Sequence, residues 1–411
     1  MSLNVVQQFI KYAKIHTTSN PGQKNVPSTK IQFNLANVLK KELIDLGFID
    51  VSVNENCIVI GTLPSNMSNE NVPIVCFFAH MDTSPDESGE NVIPRIIKSY
   101  DGSIITYPKN PDLTLSPDDT PALKNYLNSD IIVPDGTTLL GADDKAGLAE
   151  IMTAMSKIIS ENKPHGTIKV VFTPDEEVGT GVGELDVKQL GADFGYTMDG
   201  DELGSFESEN FNAAGGIIII KGYNVHPGYA KDKMKNSMRL VPEVLALFPD
   251  KESPEHTEGK EGFYHLTKIM GDVNETKINF IIRNFDYTEL KIKIRELENK
   301  IVELQKNHPD FTLSINIQES YRNMKEILDK FPKVMEIAKK AITRSGIKLI
   351  EKPIRGGTDG ATISYKGLPT PNIFAGGLNF HSKKEFLPVI SLEKAVEVII
   401  NIVEIIVEEN S

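Results

Sequence analysis

Apolar residues recur along this chain with more than one period, and each change of period marks a change of element. Val5, Phe9, Ile10 and Ala13 keep helical spacing, so Val5–Ala13 is predicted to be an amphipathic helix, closed by the Ser, Asn, Pro and Gly within His16–Gly22. Ile31, Leu35, Val38, Leu39, Leu43 and Leu46 repeat the pattern in a second helix, which opens at Ser28-Thr29 and stops at Gly47. Val51–Val53 and Cys57–Gly61 then read as a hairpin. Val72–Ala79, VPIVCFFA, is a continuous apolar run, as expected of a central strand covered on both faces. Ile168–Thr173 and Phe194–Met198 are further strands, and a helix over Ala146–Ser160 precedes them. Toward the end come a helix over Phe331–Ser345, strands over Lys348–Ile354 and Pro371–Ala375, and a long helix over Ser391–Glu409 with Ala395, Val396, Val398, Ile399, Ile402, Val403, Ile405 and Ile406 as its apolar set.

Two stretches interrupt this alternation. Ser84–Asp135 is rich in Pro, Asp, Gly and Ser, with short extended pieces at Ile93–Ile97, Ser103–Tyr107 and Ile131–Val133, and reads as an irregular insertion with a hairpin. The second runs strand (Gly216–Gly222), helix (roughly Lys231–Leu247), strands (Phe263–Val273 and Lys277–Phe285), helix (Glu289–Asn307) and strand (Phe311–Gln318). That β-α-β-β-α-β order is the ferredoxin-like pattern, which closes on itself. The expected fold class is therefore α/β, a domain with a central, mostly parallel sheet flanked by helices and an inserted ferredoxin-like domain. Residues 1–212 and 323–411 belong to the first in this reading, and 213–322 to the second.

Composition narrows the function. A chain of 411 residues suffices for two domains with a large core. A net charge of −13 argues against nucleic acid or an anionic membrane as partner, while leaving room for small anionic substrates in a local basic pocket. Cys57 and Cys76 form no disulfide framework, so a reducing cytosol is the expected setting. The start lacks the plan of a signal peptide, and no apolar run approaches the roughly 20 residues that span a bilayer. A cytoplasmic protein is expected, and a homodimer is compatible with the reading.

The chemistry gathers where apolar runs end. Val72–Ala79 leads into His80-Met81-Asp82, Ile168–Thr173 into Pro174-Asp175-Glu176-Glu177, and Phe194–Met198 into Asp199-Gly200. Leu139–Gly147, LLGADDKAG, places Asp143 and Asp144 between glycines at a helix start, and His381 follows Asn379-Phe380. In open α/β sheets, ligands bind beyond the carboxyl ends of the strands. Imidazole and carboxylate suit zinc, and a two-metal site needs one shared ligand with further ligands on either side. Asp143 as bridge, His80 and Asp199 on one metal, and Glu177 and His381 on the other meet that count. Glu176 is then left as general base, and Asp82 is placed to orient His80. Each piece also has an ordinary reading: the His-x-Asp as structure, Asp143-Asp144 as a helix cap, Glu176-Glu177 as a solvated face, Asp199 as a turn and His381 as a loop residue.

AHMDT (Ala79–Thr83), LLGADDKAG, FTPDEEVG (Phe172–Gly179) and YTMDG (Tyr196–Gly200) resemble the di-zinc metallo-exopeptidase superfamily of aminoacylases, carboxypeptidase G and peptidase T. VPST from Val26, NVHPG (Asn224–Gly228), EGFYHL (Glu261–Leu266), IIRNFD (Ile281–Asp286), PIRGGTDGA (Pro353–Ala361) and NFHSKKEF (Asn379–Phe386) are similar to its peptidase T family, and the matches run in order over nearly the whole chain. The resemblance implies the ligand roles above, two Zn²⁺ (Co²⁺ or Mn²⁺ in their place), and a cis peptide between Asp143 and Asp144. It further implies an inserted domain that acts as a lid. His226 would reach the site from that lid to polarise the scissile carbonyl. Arg283 and Arg355 would clamp the peptide carboxylate, and Asn379 would position substrate. The implied activity is release of the N-terminal residue from tripeptides by a zinc-bridging hydroxide, with Glu176 as base. A dipeptidase or an N-acyl amino acid deacylase on the same ligands is the alternative. Ser382 departs from the family pattern, which has Gly after the last histidine.

Overall fold

The computed structural model describes residues 3–69 and 71–410. In chain order its main elements are α1 (Val5–Ala13), α2 (Gln32–Asp45), β1 (Ile49–Val53), β2 (Val59–Leu63), β3 (Val75–His80), α3 (Ala142–Ser160), β4 (Ile168–Thr173), β5 (Phe194–Gly200) and β6 (Ser205–Glu207). They continue as β7 (Asn212–Lys221), β8 (Phe263–Gly271), β9 (Glu275–Asn284), α4 (Tyr287–Asn307), β10 (Thr312–Tyr321), α5 (Pro332–Arg344), β11 (Ile350–Glu351), α6 (Asp359–Tyr365), β12 (Asn372–Phe374) and α7 (Val389–Glu408). The chain divides into two compact units: one comprises the residues through Ser208, Glu326–Lys352 and those from Thr358 onward, the other Glu209–Lys325 and Pro353–Gly357. Pro353–Gly357 lies inside the range 323–411 expected for the first domain but groups with the second unit.

The first unit is built on an eight-stranded sheet in the order β1-β2-β4-β3-β5-β12-β6-β11. Its middle strands β4, β3, β5 and β12 run parallel, while β1, β2 and the β12–β6 pair are antiparallel, so the sheet is mixed overall and parallel at its centre. Period-two alternation serves both faces. Val75, Phe77 and Ala79 of β3, with Val170 and Phe172 of β4, enter the core that α1, α2, α3, α5 and α7 cover. Cys76, Phe78 and Val171 enter the core on the other face, with Ile363 and Leu368. Burial on both sides explains the unbroken apolar run, each large side chain contributing about 1.5–3 kcal/mol. The insertion contains a small sheet, Ile105–Tyr107 against Asn110–Leu115, over its own core of Tyr100, Tyr107, Leu115, Leu123 and Tyr126.

The second unit has a four-stranded antiparallel sheet in the order β8-β9-β7-β10, the ferredoxin-like order, with α4 packed on it through Leu290, Ile294, Leu297, Ile301 and Leu304. The helix expected over Lys231–Leu247 is not formed as one element. Tyr223 and Lys235 exchange backbone hydrogen bonds in an isolated bridge, which takes the start of that stretch out of any helix. A 3₁₀ turn, Ser237–Leu240, and a short helix, Val241–Leu245, with Pro242 in its first turn, are what remains. The helix predicted from Ser28-Thr29 begins instead at Gln32, because the Ser28 and Thr29 hydroxyls are hydrogen-bonded to Asp175 and to the Thr18 carbonyl. Of the expected strand Lys348–Ile354, Ile350–Glu351 is extended in the sheet, and Asp359–Tyr365 forms an unforeseen helix capped by Thr358.

Candidate active site

The carboxyl ends of β3, β4 and β5 bring His80, Glu176, Glu177 and Asp199 to one side of the parallel sheet. His80 stands opposite Thr173 in the β3–β4 register, and the chain turns from Thr173 directly into Glu176-Glu177. Asp143 arrives from the start of α3, where it and Asp144 depart from helical backbone and share a cis peptide bond. Gly147 in the next turn is required. A Cβ there would lie 2.3 Å from the Met198 carbonyl oxygen and 2.5 Å from Asp144 Oδ1, so only glycine lets α3 approach β5.

Two clusters of donor atoms result, His80–Asp143–Asp199 and Asp143–Glu177–His381, each with its atoms within 4.8 Å of one another. Asp143 is common to both. Its Oδ1 lies 2.8 Å from His80 Nε2, and its Oδ2 lies 3.4 Å from His381 Nε2. His80 Nε2 is 3.5 Å from Asp199 Oδ1, and His381 Nε2 is 2.8 Å from Glu177 Oε2. Glu177 Oε1 is buried with no hydrogen-bond partner among the described residues. A buried carboxylate oxygen in that state costs free energy unless a cation meets it.

Charge balance makes the same point. Burial pushes the Glu176 carboxyl up, helped by the nearby Asp199, and it pushes Glu177 up to about 7, helped by Asp143. His381 is raised to about 11 by its bonds to Asp143 and Glu177. Burial opposes the His80 imidazolium, yet bonds to Asp143, Asp199 and Asp82 outweigh it and hold the proton on. The site holds its protons because it is short of positive charge, the deficit that divalent cations relieve. The donor set, imidazole nitrogens with carboxylate oxygens around one shared carboxylate, fits a dinuclear centre of zinc-like ions.

The surrounding groups fix these donors. Asp82 stands 3.3 Å from His80 Nδ1, and its oxygens accept from the backbone N–H of Glu176 (3.0 Å) and Glu177 (3.2 Å). Asp144 accepts from His80 N and Gly147 N, both at 3.1 Å, and so supports the turn. Asp175 accepts from Ser28 N, Ser28 Oγ and Gln32 Nε2, which anchors the Glu176-Glu177 turn to the segment before α2. Ser382 Oγ donates to the Asn379 carbonyl at 2.7 Å and closes the turn that carries His381.

The sequence pattern assigns Glu385 no role. It is 1% exposed, and its carboxylate accepts from the backbone N–H of Leu140 (2.7 Å), Gly141 (2.8 Å), Ala142 (2.7 Å) and Asp143 (3.2 Å). One side chain thus holds the whole loop that delivers Asp143. Glu385→Gln keeps the shape but turns an amide N–H₂ toward two of those donors. We expect it to lower stability by about 2 kcal/mol, seen as a reduced urea midpoint at unchanged m value.

Asn379, at φ 56°, spends its side-chain amide on Thr120 Oγ1 and the Lys384 carbonyl. His226, Arg283 and Arg355 belong to the second unit. His226 is exposed beside a cavity of about 700 Å³ lined by Asn224, Pro227, Ala230, Met234 and Asn236, and its Nδ1 accepts from Gly228 N. Arg283 donates through Nη1 to the Ala214 and Ile282 carbonyls and lies 5.1 Å over the Tyr321 ring. Arg355 commits both terminal nitrogens to Thr257, Gly259 and Glu261, and its guanidinium lies 5.2 Å from the Phe211 ring and 5.7 Å from the Phe263 ring.

Residues 133–405 match the model of peptidase family M20/M25/M40. The chain belongs to that family. Peptidase T of Alkaliphilus oremlandii is 48% identical over 404 residues, covering 98% of this chain and 99% of that protein. Peptidase T of Geobacillus kaustophilus is 46% identical over 412 residues, covering all of both. Among solved structures, aminopeptidase PepT from Bacillus cereus superposes with a TM-score of 0.77 at 24% identity over 98% of each chain, and the fold is shared. A more distant member, Bacillus subtilis YxeP, a dinuclear metal binding peptidase, has a TM-score of 0.65 at 12% identity over 98% of each chain. Membership makes this chain a peptide hydrolase of a metallopeptidase family. No described helix is long and apolar enough to cross a membrane.

Proposed function

We propose that this protein is a zinc-dependent aminopeptidase that releases the N-terminal residue of tripeptides. The observation that carries the reading is the pair of donor clusters joined through Asp143, with Glu176 next in sequence to Glu177 at their edge. His80 and Asp199 would hold one ion, Glu177 and His381 the other, and Asp143 both. Ions held there supply Lewis acidity toward a carbonyl oxygen and toward water.

The protein's own groups do the rest. Glu176 is half-buried, and its carboxyl is raised by that burial, so it can take a proton from attacking water and deliver it to the leaving amine. Asp82 fixes the His80 ring and, through the Glu176 and Glu177 N–H groups, the turn that carries the base. The reading gives His226 the carbonyl oxygen of the substrate and Asn379 a part in its placement. Because both terminal nitrogens of Arg355 are already engaged, Arg283 is the stronger candidate to clamp the peptide carboxylate, and Arg355 shapes the Thr257–Glu261 loop. The buried free thiols Cys57 and Cys76 support a cytoplasmic setting.

A substrate panel with and without chelator tests the reading. Free tripeptides are expected to lose their first residue, the activity to vanish on metal removal, and zinc, cobalt or manganese to restore it. Turnover confined to dipeptides or N-acyl amino acids overturns it.

A further inference from the structure

An aminopeptidase has to accept a charged N-terminus one carbon away from the bond it cuts. An ammonium shut away from water needs an anion beside it. The carboxylates at the centre are almost all engaged. Asp143, Glu177 and Asp199 face the histidines, and Glu176 carries the proton. Asp82, Asp144 and Glu385 have both oxygens filled by backbone N–H groups.

Asp359 stands outside the two donor clusters and accepts from no backbone N–H among the described residues. It is 8% exposed, and its Oδ2 accepts from Thr173 Oγ1 at 2.8 Å. No hydrogen bond reaches its Oδ1 among the described residues. Thr173 ends β4, stands opposite His80 in the sheet and precedes Glu176 by three residues, so the Asp359 carboxylate is pinned at the same strand ends as the donor clusters. It lies within electrostatic reach of His80, Asp199 and Glu176. Thr358, just before it, bonds Asn372 of β12, which anchors the segment from a second strand. A rigidly held carboxylate with one open oxygen is a receptor for a cation with hydrogen-bond donors.

We propose that Asp359 receives the α-ammonium of the substrate's first residue on Oδ1 and thereby sets the demand for an unblocked N-terminus. The proposal rests on the aminopeptidase reading above and adds to it the residue that imposes its specificity. A purely structural Asp359, tying α6 to β4, predicts a different outcome from the same variant.

The test uses the full-length, metal-loaded enzyme with trialanine and with N-propionyl-dialanine, which differs by the missing amine. Asp359→Asn keeps an acceptor for Thr173 Oγ1 and removes the charge. The kcat/KM for trialanine is expected to fall roughly 10- to 150-fold, chiefly through KM, as for a lost charge-assisted hydrogen bond. The wild-type preference for trialanine over the propionyl analogue is expected to collapse toward unity, and competitive inhibition by alanine to weaken relative to propionate. An unchanged preference in the variant overturns the proposal while leaving the aminopeptidase reading intact. A wild-type enzyme that fails to cleave trialanine overturns both. Should Asp359→Asn lose its thermal transition, Asp359→Glu carries the test, since it keeps the charge but shifts it by one methylene; a preference identical to wild type then refutes the role.

Discussion

Glu176→Gln is expected to lower kcat by about a thousandfold, within the 10²–10⁴ range that a positioned general base contributes. The substitution is nearly isosteric. It leaves the Glu176 N–H bonded to Asp82 Oδ1 and leaves Glu177, Asp143, Asp199 and both histidines in place. Metal content, measured by elemental analysis, should therefore match wild type, and KM should change little because the residue acts on the proton. The variant's thermal transition should be at least as high, since an amide is cheaper to bury than a carboxylate crowded by Asp199. Single-turnover hydrolysis separates the chemical step from product release. Near-wild-type rates with full metal content would show that another group handles the proton.

Much of this centre is legible in the sequence because its residues follow a pattern physics imposes. A strand buried on both faces is apolar along most of its length, as β3 is from Val75 to Ala79 and β4 is but for Lys169, so the first acidic or imidazole side chain after that run marks the sheet's carboxyl edge. His80, Glu176, Glu177 and Asp199 are legible that way, and the structure brings His80, Glu177 and Asp199 together with Asp143 and His381. Asp143 is readable for another reason, since paired acids between glycines at a helix start are a poor core and a good ligand site. The same logic finds the ferredoxin-like unit, whose strands and α4 each carry a clear period.

Other features leave no local trace. Glu385 is 242 residues from Asp143, and its partners are backbone N–H groups, which every residue has. Thr173 and Asp359 are 186 residues apart, and either alone reads as an ordinary strand end or turn. The Lys231–Leu247 stretch has apolar residues at helical spacing, but the pairing of Tyr223 with Lys235 and the ring of Pro242 decide its conformation. The resemblance gives Arg355 a peptide carboxylate to clamp, whereas its surroundings turn its charge to three residues of one loop. Periodicity reports burial, and chemistry at a strand end follows from burial. Which donor meets which acceptor across the chain is set by packing and has no periodic signature.

Asp143→Ala is expected to abolish activity and to empty both ion positions at once, because one side chain serves the two clusters through its separate oxygens. His381→Ala is the control that gives the prediction its edge. It removes a donor from the second cluster alone and should reduce bound metal from about two ions per chain to about one, the first cluster keeping three donors. The fold should tolerate Asp143→Ala, since Asp144 still accepts from His80 N and Gly147 N, and Glu385 still holds the Leu140–Asp143 backbone. Stability supplies a readout independent of turnover. Metal bound to the native state stabilises it by mass action, so a chelator should lower the wild-type melting temperature and leave that of Asp143→Ala unchanged. Full metal occupancy in Asp143→Ala would refute the bridging role, and loss of one ion in place of two would confine Asp143 to a single cluster.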